Sequence, residues 1–136
     1  MNLEWVERFV GIPYADKGRT REGADCWGLV TLVYREHAGI ELPSYDEQYL
    51  NSAERREIAS IVAREARSAL WMPVVAPQML DIIWFRRGRH DAHAAIWLKK
   101  GHMLHMREED ASKAERFDVP EWQSRVTGMY RWRAAG

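Results

Sequence analysis

The sequence predicts an α+β domain, because helical patterns occupy its first half and short strand patterns occupy its second half. Apolar residues recur at helical spacing over residues 2–10, 25–37 and 51–70. After Pro73 and Pro77 the pattern changes to short runs of branched and aromatic residues separated by turn residues, which is typical of antiparallel strands. We expect the second helix to pack against the resulting sheet. The predicted strands cover residues 80–85, 94–98, 103–106 and 126–132.

Residues that commonly begin or end helices lie at the edges of these helical patterns. The first pattern stops before Pro13, since proline cannot continue a helix. Asp25 has the side chain of an N-cap for the second helix, and Asn51 followed by Glu54 resembles a capping box for the third. Residues 14–24 hold two glycines among charged residues and predict a loop.

Size and charge favour a single domain over residues 1–136. A chain of 136 residues buries about two thirds of its unfolded surface around one core. Its 20 basic and 20 acidic residues give a net charge of zero, so we expect neither nucleic acid nor an anionic membrane as a partner. The N-terminus shows no secretory signal and no segment reaches membrane-spanning length, so we expect cytoplasmic synthesis. We expect no cofactor.

Cys26 is the single cysteine of the chain, so an internal disulfide is excluded. The predicted second helix begins here, and a helix N-terminus stabilises a thiolate, while the amide of Cys26 would face a developing oxyanion. The alternative is an inert thiol packed in the core, which is the commoner state of a lone cysteine. The negative charge of Asp25 would disfavour a thiolate unless that carboxylate caps the helix or binds a cationic group of a substrate.

Two later histidines supply the groups that a catalytic thiol needs. His93 begins one predicted strand and His105 lies in the next, with residues 99–101 between these strands as a hairpin turn. In an antiparallel pair, a loop with an odd number of residues places positions 93 and 105 on the same face. His93 would then accept the thiol proton, and His105 would orient the ring of His93.

A second interpretation of the histidines is metal binding. His90 and His93 form one His-x-x-His pair, and His102 and His105 form another. Strand residues three apart point to opposite faces, so one such pair does not readily chelate a single ion. We therefore expect no metal site. His37 ends the second helix and is interpreted as a favourable charge at a helix C-terminus.

Several segments of the chain together resemble a known family. They are Gly11-Ile12-Pro13-Tyr14, Asp25-Cys26-Trp27-Gly28-Leu29-Val30, Leu80-Asp81-Ile82-Ile83-Trp84-Phe85, His93-Ala94-Ala95-Ile96-Trp97-Leu98 and Gly128-Met129-Tyr130-Arg131. In this order they resemble the NlpC-type family of papain-like cysteine peptidases, and most closely its short members encoded with bacteriophage tail genes. The resemblance implies a papain-like fold and hydrolysis of an amide bond in the peptide stem of peptidoglycan, typically between D-γ-glutamyl and a diamino acid.

The resemblance also implies roles for individual residues. Tyr14 would point its hydroxyl at the active site, and Asp25 would help to bind the substrate through its free amine. Trp27 stands where many members have serine, so we expect it to shape the substrate groove. Leu80 stands where glycine usually precedes the aspartate, so we expect a different local turn there.

The phage members imply incorporation into a phage or phage-like tail, with tail-tip proteins as partners. Two alternatives remain open at this point. The same scaffold forms an acyl-enzyme with other amides or esters, so an amidase or acyl transferase is one of them. The other is a catalytically silent tail-tip assembly protein.

Overall fold

The computed structural model describes residues 3–43, 71–87, 90–106 and 110–132, with residues 87 and 90–92 described by their backbone alone. The predicted helix over residues 51–70 therefore lies outside the described residues. A short 3₁₀ helix, Glu4–Phe9, opens the described chain where a helix over residues 2–10 is predicted. The α-helices are α1 (Cys26–Val33), which continues as a π-helical turn over Tyr34–Ala38, and α2 (Pro120–Gln123). The strands are β1 (Arg19–Thr20), β2 (Gly23–Ala24), β3 (Trp71–Pro73), β4 (Ile82–Arg87), β5 (His90–Lys99), β6 (His102–Met106), β7 (Ser112–Arg116) and β8 (Val126–Trp132).

Six strands form one antiparallel sheet in the order β3-β8-β4-β5-β6-β7. The four predicted strands form its centre as β4, β5, β6 and β8. Sequence patterns missed the two edge strands, β3 and β7, since β3 is only three residues long and β7 has the polar sequence Ser-Lys-Ala-Glu-Arg. They also missed the small β1-β2 hairpin within the predicted loop over residues 14–24.

Helix α1 begins where Asp25 caps it, because the Asp25 side chain accepts a hydrogen bond from the Gly28 amide at 2.7 Å. The helical segment ends at Gly39, whose φ of +71° is left-handed and favours glycine. Apolar side chains of α1, including Leu29 and Val33, are buried in the main core. The helix packs against β5 and β6. The predicted α+β fold, with the cysteine helix on an antiparallel sheet, is therefore confirmed.

The β5-β6 hairpin sets which side chains share a face of the sheet. Residues 100 and 101 connect the strands, and Gly101 has a left-handed φ of +78°. A two-residue connection alone would place positions 93 and 105 on opposite faces. The register shifts by one residue between Trp97 and Lys99, however, so that Ala95 pairs with His105. His93 and His105 thus lie on the same face, as predicted, because the two-residue connection is combined with a bulge in the β5-β6 pairing.

The two faces of the sheet bury different clusters. Ala94, Ile96 and Leu104 join the main core with α1. Phe85 and Met103 belong to a second cluster on the other face, and Trp122 of α2 packs against it. Because side chains alternate along a strand, His93 and His105 lie on the face of this second cluster. The imidazoles therefore occupy an enclosed part of the sheet surface.

Leu80 precedes β4 in a backbone conformation that leucine rarely adopts. Its φ is +82°, in the left-handed region that favours glycine. The Leu80 amide donates to the carbonyl of Trp97 at 2.9 Å, and the Leu80 carbonyl accepts from the Tyr34 hydroxyl. Leucine thus occupies a backbone conformation that favours glycine, and the expected difference from the turn of other family members stays a prediction.

Within the described residues, every helix is too short or too polar to cross a lipid bilayer.

Candidate active site

Cys26 is the first residue of α1 and is partly exposed. A thiol at this position receives the positive end of the helix dipole and the unpaired amides of the first turn, which favour the thiolate. Partial exposure also distinguishes Cys26 from an inert cysteine sealed in a core. The arrangement suits a reactive thiol.

Asp25, directly before the thiol, is buried, with 1% of its surface exposed. Its Oδ1 accepts from the Gly28 amide at 2.7 Å and from the Arg19 guanidinium at 2.9 Å, and its Oδ2 accepts from the Lys17 amide at 3.1 Å. The predicted N-cap is confirmed, and the ion pair with Arg19 opposes the unfavourable effect of the carboxylate on a thiolate. The predicted contact between Asp25 and a substrate amine stays a prediction.

Two glycines let the backbone beside the thiol pack closely. A Cβ atom on Gly28 would lie 1.9 Å from the carbonyl oxygen of Gly18, and one on Gly18 would lie 2.3 Å from the carbonyl oxygen of Gly23. Real side chains do not tolerate such distances. The first turn of α1 is therefore held against the β1-β2 hairpin by direct backbone contact.

The imidazoles of His93 and His105 form a direct pair across β5 and β6. His93 Nε2 lies 2.9 Å from His105 Nδ1, and both residues are buried, with 5% and 1% of their surface exposed. The structure thus brings together the two histidines that the sequence singled out. Their assignment as base and orienting residue stays a prediction.

Glu115 of β7 extends this pair and was missed by sequence analysis. Its Oε2 lies 2.5 Å from His105 Nε2. In the sequence, Glu115 is an acidic residue within the polar segment Ser-Lys-Ala-Glu-Arg. Such a segment cannot be told from a solvent-exposed turn by its sequence. His93, His105 and Glu115 come from three neighbouring strands, so their alignment depends on the register of the sheet.

Trp122 covers the imidazole pair. Its ring stacks on His93 with 5.7 Å between centroids and an interplanar angle of 28°, and its edge meets His105 at 5.1 Å. Phe85 contacts His93 from the neighbouring strand. These apolar rings exclude water from the hydrogen bond between the imidazoles, which strengthens electrostatic interactions there.

The other two predicted substrate-binding residues lie close to Cys26 in the fold or in the chain. Tyr14 bridges to Ala24 beside the cysteine, is half-buried, and donates its hydroxyl to Asp16. Trp27 is buried, donates its indole N–H to the Pro43 carbonyl at 2.8 Å and stacks on Trp84. Trp27 therefore serves the core, and the predicted contacts of both residues with substrate stay predictions.

His102, whose side chain the structure describes, contacts a backbone carbonyl and not an imidazole. His102 Nδ1 lies 3.0 Å from the carbonyl of Lys100. The structure describes only the backbone of His90. In the described ranges, three or more metal-ligating side chains do not converge at any point.

His37 requires a correction. It stacks on Trp5 with 4.0 Å between ring centroids. Burial, with a smaller effect from the nearby Arg8, lowers the pKa of His37 below its usual value of 6.5. The charged form is therefore disfavoured, and the interpretation of His37 as a helix-terminal cation is wrong.

The amino-acid sequence is similar to one protein family and to several characterised proteins. The model of the NlpC/P60 family matches residues 11–131. The chain is 28% identical to Gamma-DL-glutamyl hydrolase of Bacillus subtilis over 96% of this chain and 28% of the relative. It is 26% identical to Murein DD-endopeptidase MepS/Murein LD-carboxypeptidase of Escherichia coli, over 89% of this chain and 56% of the relative. It is 29% identical to Tail tip assembly protein K of Escherichia phage lambda, over 95% of this chain and 64% of that protein.

Solved structures share the fold at low sequence identity. An NlpC/P60 family protein from Bacillus cereus superposes with a TM-score of 0.66 at 24% identity, covering 93% of this chain and 37% of that one. The NlpC/p60 domain of the peptidoglycan hydrolase SagA gives a TM-score of 0.63 at 18% identity, covering 93% of this chain and 92% of that domain. The chain thus corresponds to part of each curated relative named above, from 28% to 64% of its length. Because the family model spans nearly all of the chain, this protein belongs to the NlpC/P60 family.

Proposed function

We propose that this protein is a cysteine endopeptidase that hydrolyses an amide bond in the peptide stem of peptidoglycan, between D-γ-glutamyl and a diamino acid. The observation that carries the proposal is the bonded pair His93–His105 on β5 and β6, the strands against which the helix of Cys26 packs. Nucleophilic cysteine catalysis needs a thiol at a helix N-terminus and a paired imidazole from a neighbouring element, and the chain provides both groups.

In the proposed reaction, the Cys26 thiol gives its proton to His93 and the thiolate attacks the scissile carbonyl carbon. The oxyanion of the tetrahedral intermediate accepts a hydrogen bond from the Cys26 amide. When the C–N bond breaks, His93 returns the proton to the leaving amine and a thioester remains on Cys26. Water, deprotonated by His93, then hydrolyses the thioester and restores the thiol.

The proposed reaction requires the Cys26 thiol and the His93 imidazole to meet at the N-terminal end of α1. Cys26 lies at the end of its helix, and His93 follows a register shift between Phe85 and Arg86 on the paired strand. A bulge commonly re-aims neighbouring side chains. We propose that the bulge beside His93 brings its imidazole to the N-terminal end of α1, where it meets the thiol.

The choice of substrate rests on the relatives. One relative is named a Gamma-DL-glutamyl hydrolase, which supports cleavage next to a γ-glutamyl residue, and another is named a Murein DD-endopeptidase, which supports murein as the substrate. Tyr14, placed beside Cys26 by its bridge to Ala24, is proposed to contact the stem peptide. Asp25 is proposed to help bind the substrate through its free amine, and Trp27 is proposed to shape the substrate groove.

The similarity to Tail tip assembly protein K supports a place in a phage or phage-like tail, reached after cytoplasmic synthesis, with other tail-tip proteins as partners. It also favours a second candidate function, an assembly role without catalysis. Particles that carry Cys26→Ala decide between these functions. An enzyme used for entry predicts normal assembly with impaired infection, whereas a silent assembly protein predicts wild-type infectivity.

Digestion of purified sacculi followed by mass spectrometry tests the activity. We expect fragments with a new N-terminal diamino acid, whereas an acyl transferase would give fragments carrying a transferred acyl group. Cys26→Ser and His93→Ala should each lower the rate at least about a thousandfold, and His105→Ala should lower it less, because orientation is one contribution among several. His102→Ala, on the same strand as His105 but bonded to a backbone carbonyl, is the matched control and should retain the wild-type rate. Equal activity in all four variants would refute the proposal.

A further inference from the structure

Glu115 is placed to control where the protons of the imidazole pair reside. It lies on edge strand β7, two residues beyond Lys113, which pairs directly with His105, so Glu115 and His105 share a face. The Glu115 side chain is 25% exposed, whereas that of His105 is fully buried. The carboxylate therefore connects a buried ring to the solvent side of the sheet.

The hydrogen-bond geometry determines a proton order. A carboxylate only accepts hydrogen bonds, so the contact of 2.5 Å requires the proton of His105 on Nε2. A neutral imidazole has one N–H, and Nδ1 of His105 is then an acceptor. His93 Nε2, 2.9 Å away, must therefore donate to it. This places the single proton of neutral His93 on Nε2 and makes Nδ1 its basic nitrogen.

We propose that Glu115 is a positioning residue that fixes the tautomers of His105 and His93, so that His93 presents Nδ1 as the base. The proposed thiol chemistry uses this nitrogen, and in that respect the inference rests on the proposed function. Glu115 touches neither the substrate nor the thiol in this scheme. It acts through two successive hydrogen bonds.

The apolar surroundings of the two imidazoles strengthen the influence of the Glu115 carboxylate on them. Trp122 and Phe85 cover the rings with apolar surface, and a low local dielectric strengthens the interaction between a carboxylate and a nearby imidazole. When His93 gains the thiol proton, the negative charge of Glu115 favours the resulting imidazolium. The Glu115 carboxylate thus fixes the positions of the protons on both imidazoles and also stabilises a positive charge on them.

Imidazole nitrogen NMR of the whole chain tests the proton order without any substrate. In the wild type we expect His105 and His93 both as Nε2–H tautomers near neutral pH. Glu115→Gln retains an acceptor oxygen and should keep this order, whereas Glu115→Ala should give mixed tautomers at His105. Glu121→Gln removes the same charge from an exposed site on α2 and should leave the spectrum unchanged.

Kinetics on a soluble stem peptide test the consequence for the reaction. Glu115→Ala should lower kcat about tenfold and leave KM unchanged, because Glu115 contacts no substrate and its charge favours the imidazolium that forms during the reaction. Glu115→Gln should recover most of kcat, with the alkaline limb of the pH profile moved to lower pH, since a neutral amide does not stabilise the imidazolium.

The two measurements separate the failure of this inference from the failure of the proposed function. A wild-type spectrum with Nε2–H tautomers in a protein that cleaves no stem peptide would support the inference and contradict the activity. A spectrum with His105 doubly protonated or as the Nδ1–H tautomer would overturn the inference, even in an active enzyme. If Glu115→Ala does not fold, the wild-type spectrum and Glu115→Gln still decide.

Discussion

The two halves of the candidate site each contain a carboxylate close to a reactive side chain, but the carboxylates have different surroundings. Asp25, beside the thiol, is buried and bonded to two backbone amides and a guanidinium. Glu115, beside the imidazoles, is partly exposed and bonded to a ring nitrogen. The first carboxylate holds the backbone in place, and the second contacts a group that takes up protons.

This difference separates folding from chemistry within one site. The region around Cys26 is built from close backbone contacts and a buried ion pair, so changes there should mainly reduce stability. The region around His93 depends on side-chain hydrogen bonds at one face of a sheet, so changes there should mainly reduce activity.

The largest expected loss of stability is at Gly28. Gly28→Ala places a methyl group 1.9 Å from the Gly18 carbonyl oxygen, so α1 and the β1-β2 hairpin must move apart. We expect the free energy of unfolding to fall by about 3 kcal/mol or more, measured by urea denaturation. Gly39→Ala is the control, because its Cβ meets open space and it loses only the left-handed preference, at about 1 kcal/mol. A loss at Gly28 no larger than that at Gly39 would show that the close contact is not required.

Removal of the Asp25 or Glu115 carboxylate should cause the next largest loss of stability. Asp25→Ala removes the helix cap and leaves Arg19 without its charge partner, so we expect a loss of about 2 kcal/mol in unfolding free energy. Glu115→Ala should cost about 1 kcal/mol or less, since its carboxylate is partly solvated. Equal losses of stability in the two variants would remove the distinction between the halves.

The smallest expected effect is a pH dependence of stability in the cysteine half of the site, the region around α1 that contains Cys26 and His37. The pKa of His37 is lowered in the folded state, so protonation favours the unfolded chain. Its contribution is complete above the ordinary value of 6.5 and is lost as the pH falls through the folded pKa. Urea denaturation at about pH 7.5 and about pH 5 should show a smaller decrease in stability for His37→Gln than for the wild type. An identical decrease in both proteins would contradict the neutral, stacked state of His37.

The cysteine half was predictable because its parts lie close together in the sequence. Asp25, Cys26 and Gly28 lie within four consecutive positions, and a helix N-terminus has recognisable side-chain preferences. Arg19 was missed as the partner of Asp25, since an ion pair formed through a hairpin has no distinct sequence pattern. The buried state of Trp27 also depends on residues far along the chain, such as Trp84.

The histidine half was predictable only in part. An odd-numbered loop predicted His93 and His105 on one face, whereas the chain reaches this arrangement through a two-residue connection and a register shift that the sequence does not reveal. Glu115 required the register of a third strand, whose polar sequence gives no apolar alternation. Trp122, in a helix of four residues, could not be assigned to the imidazoles before the sheet was known.

Loops at protein surfaces usually accept added or lost residues with little consequence. The turn at Gly101 is an exception, because the bulge before it and the turn together set the alternation of β6. One residue more or fewer would exchange the places of His105 and Leu104, moving an imidazole into the apolar layer beneath α1. We expect length variation at this turn to separate the rings of His93 and His105 even where the strands still form.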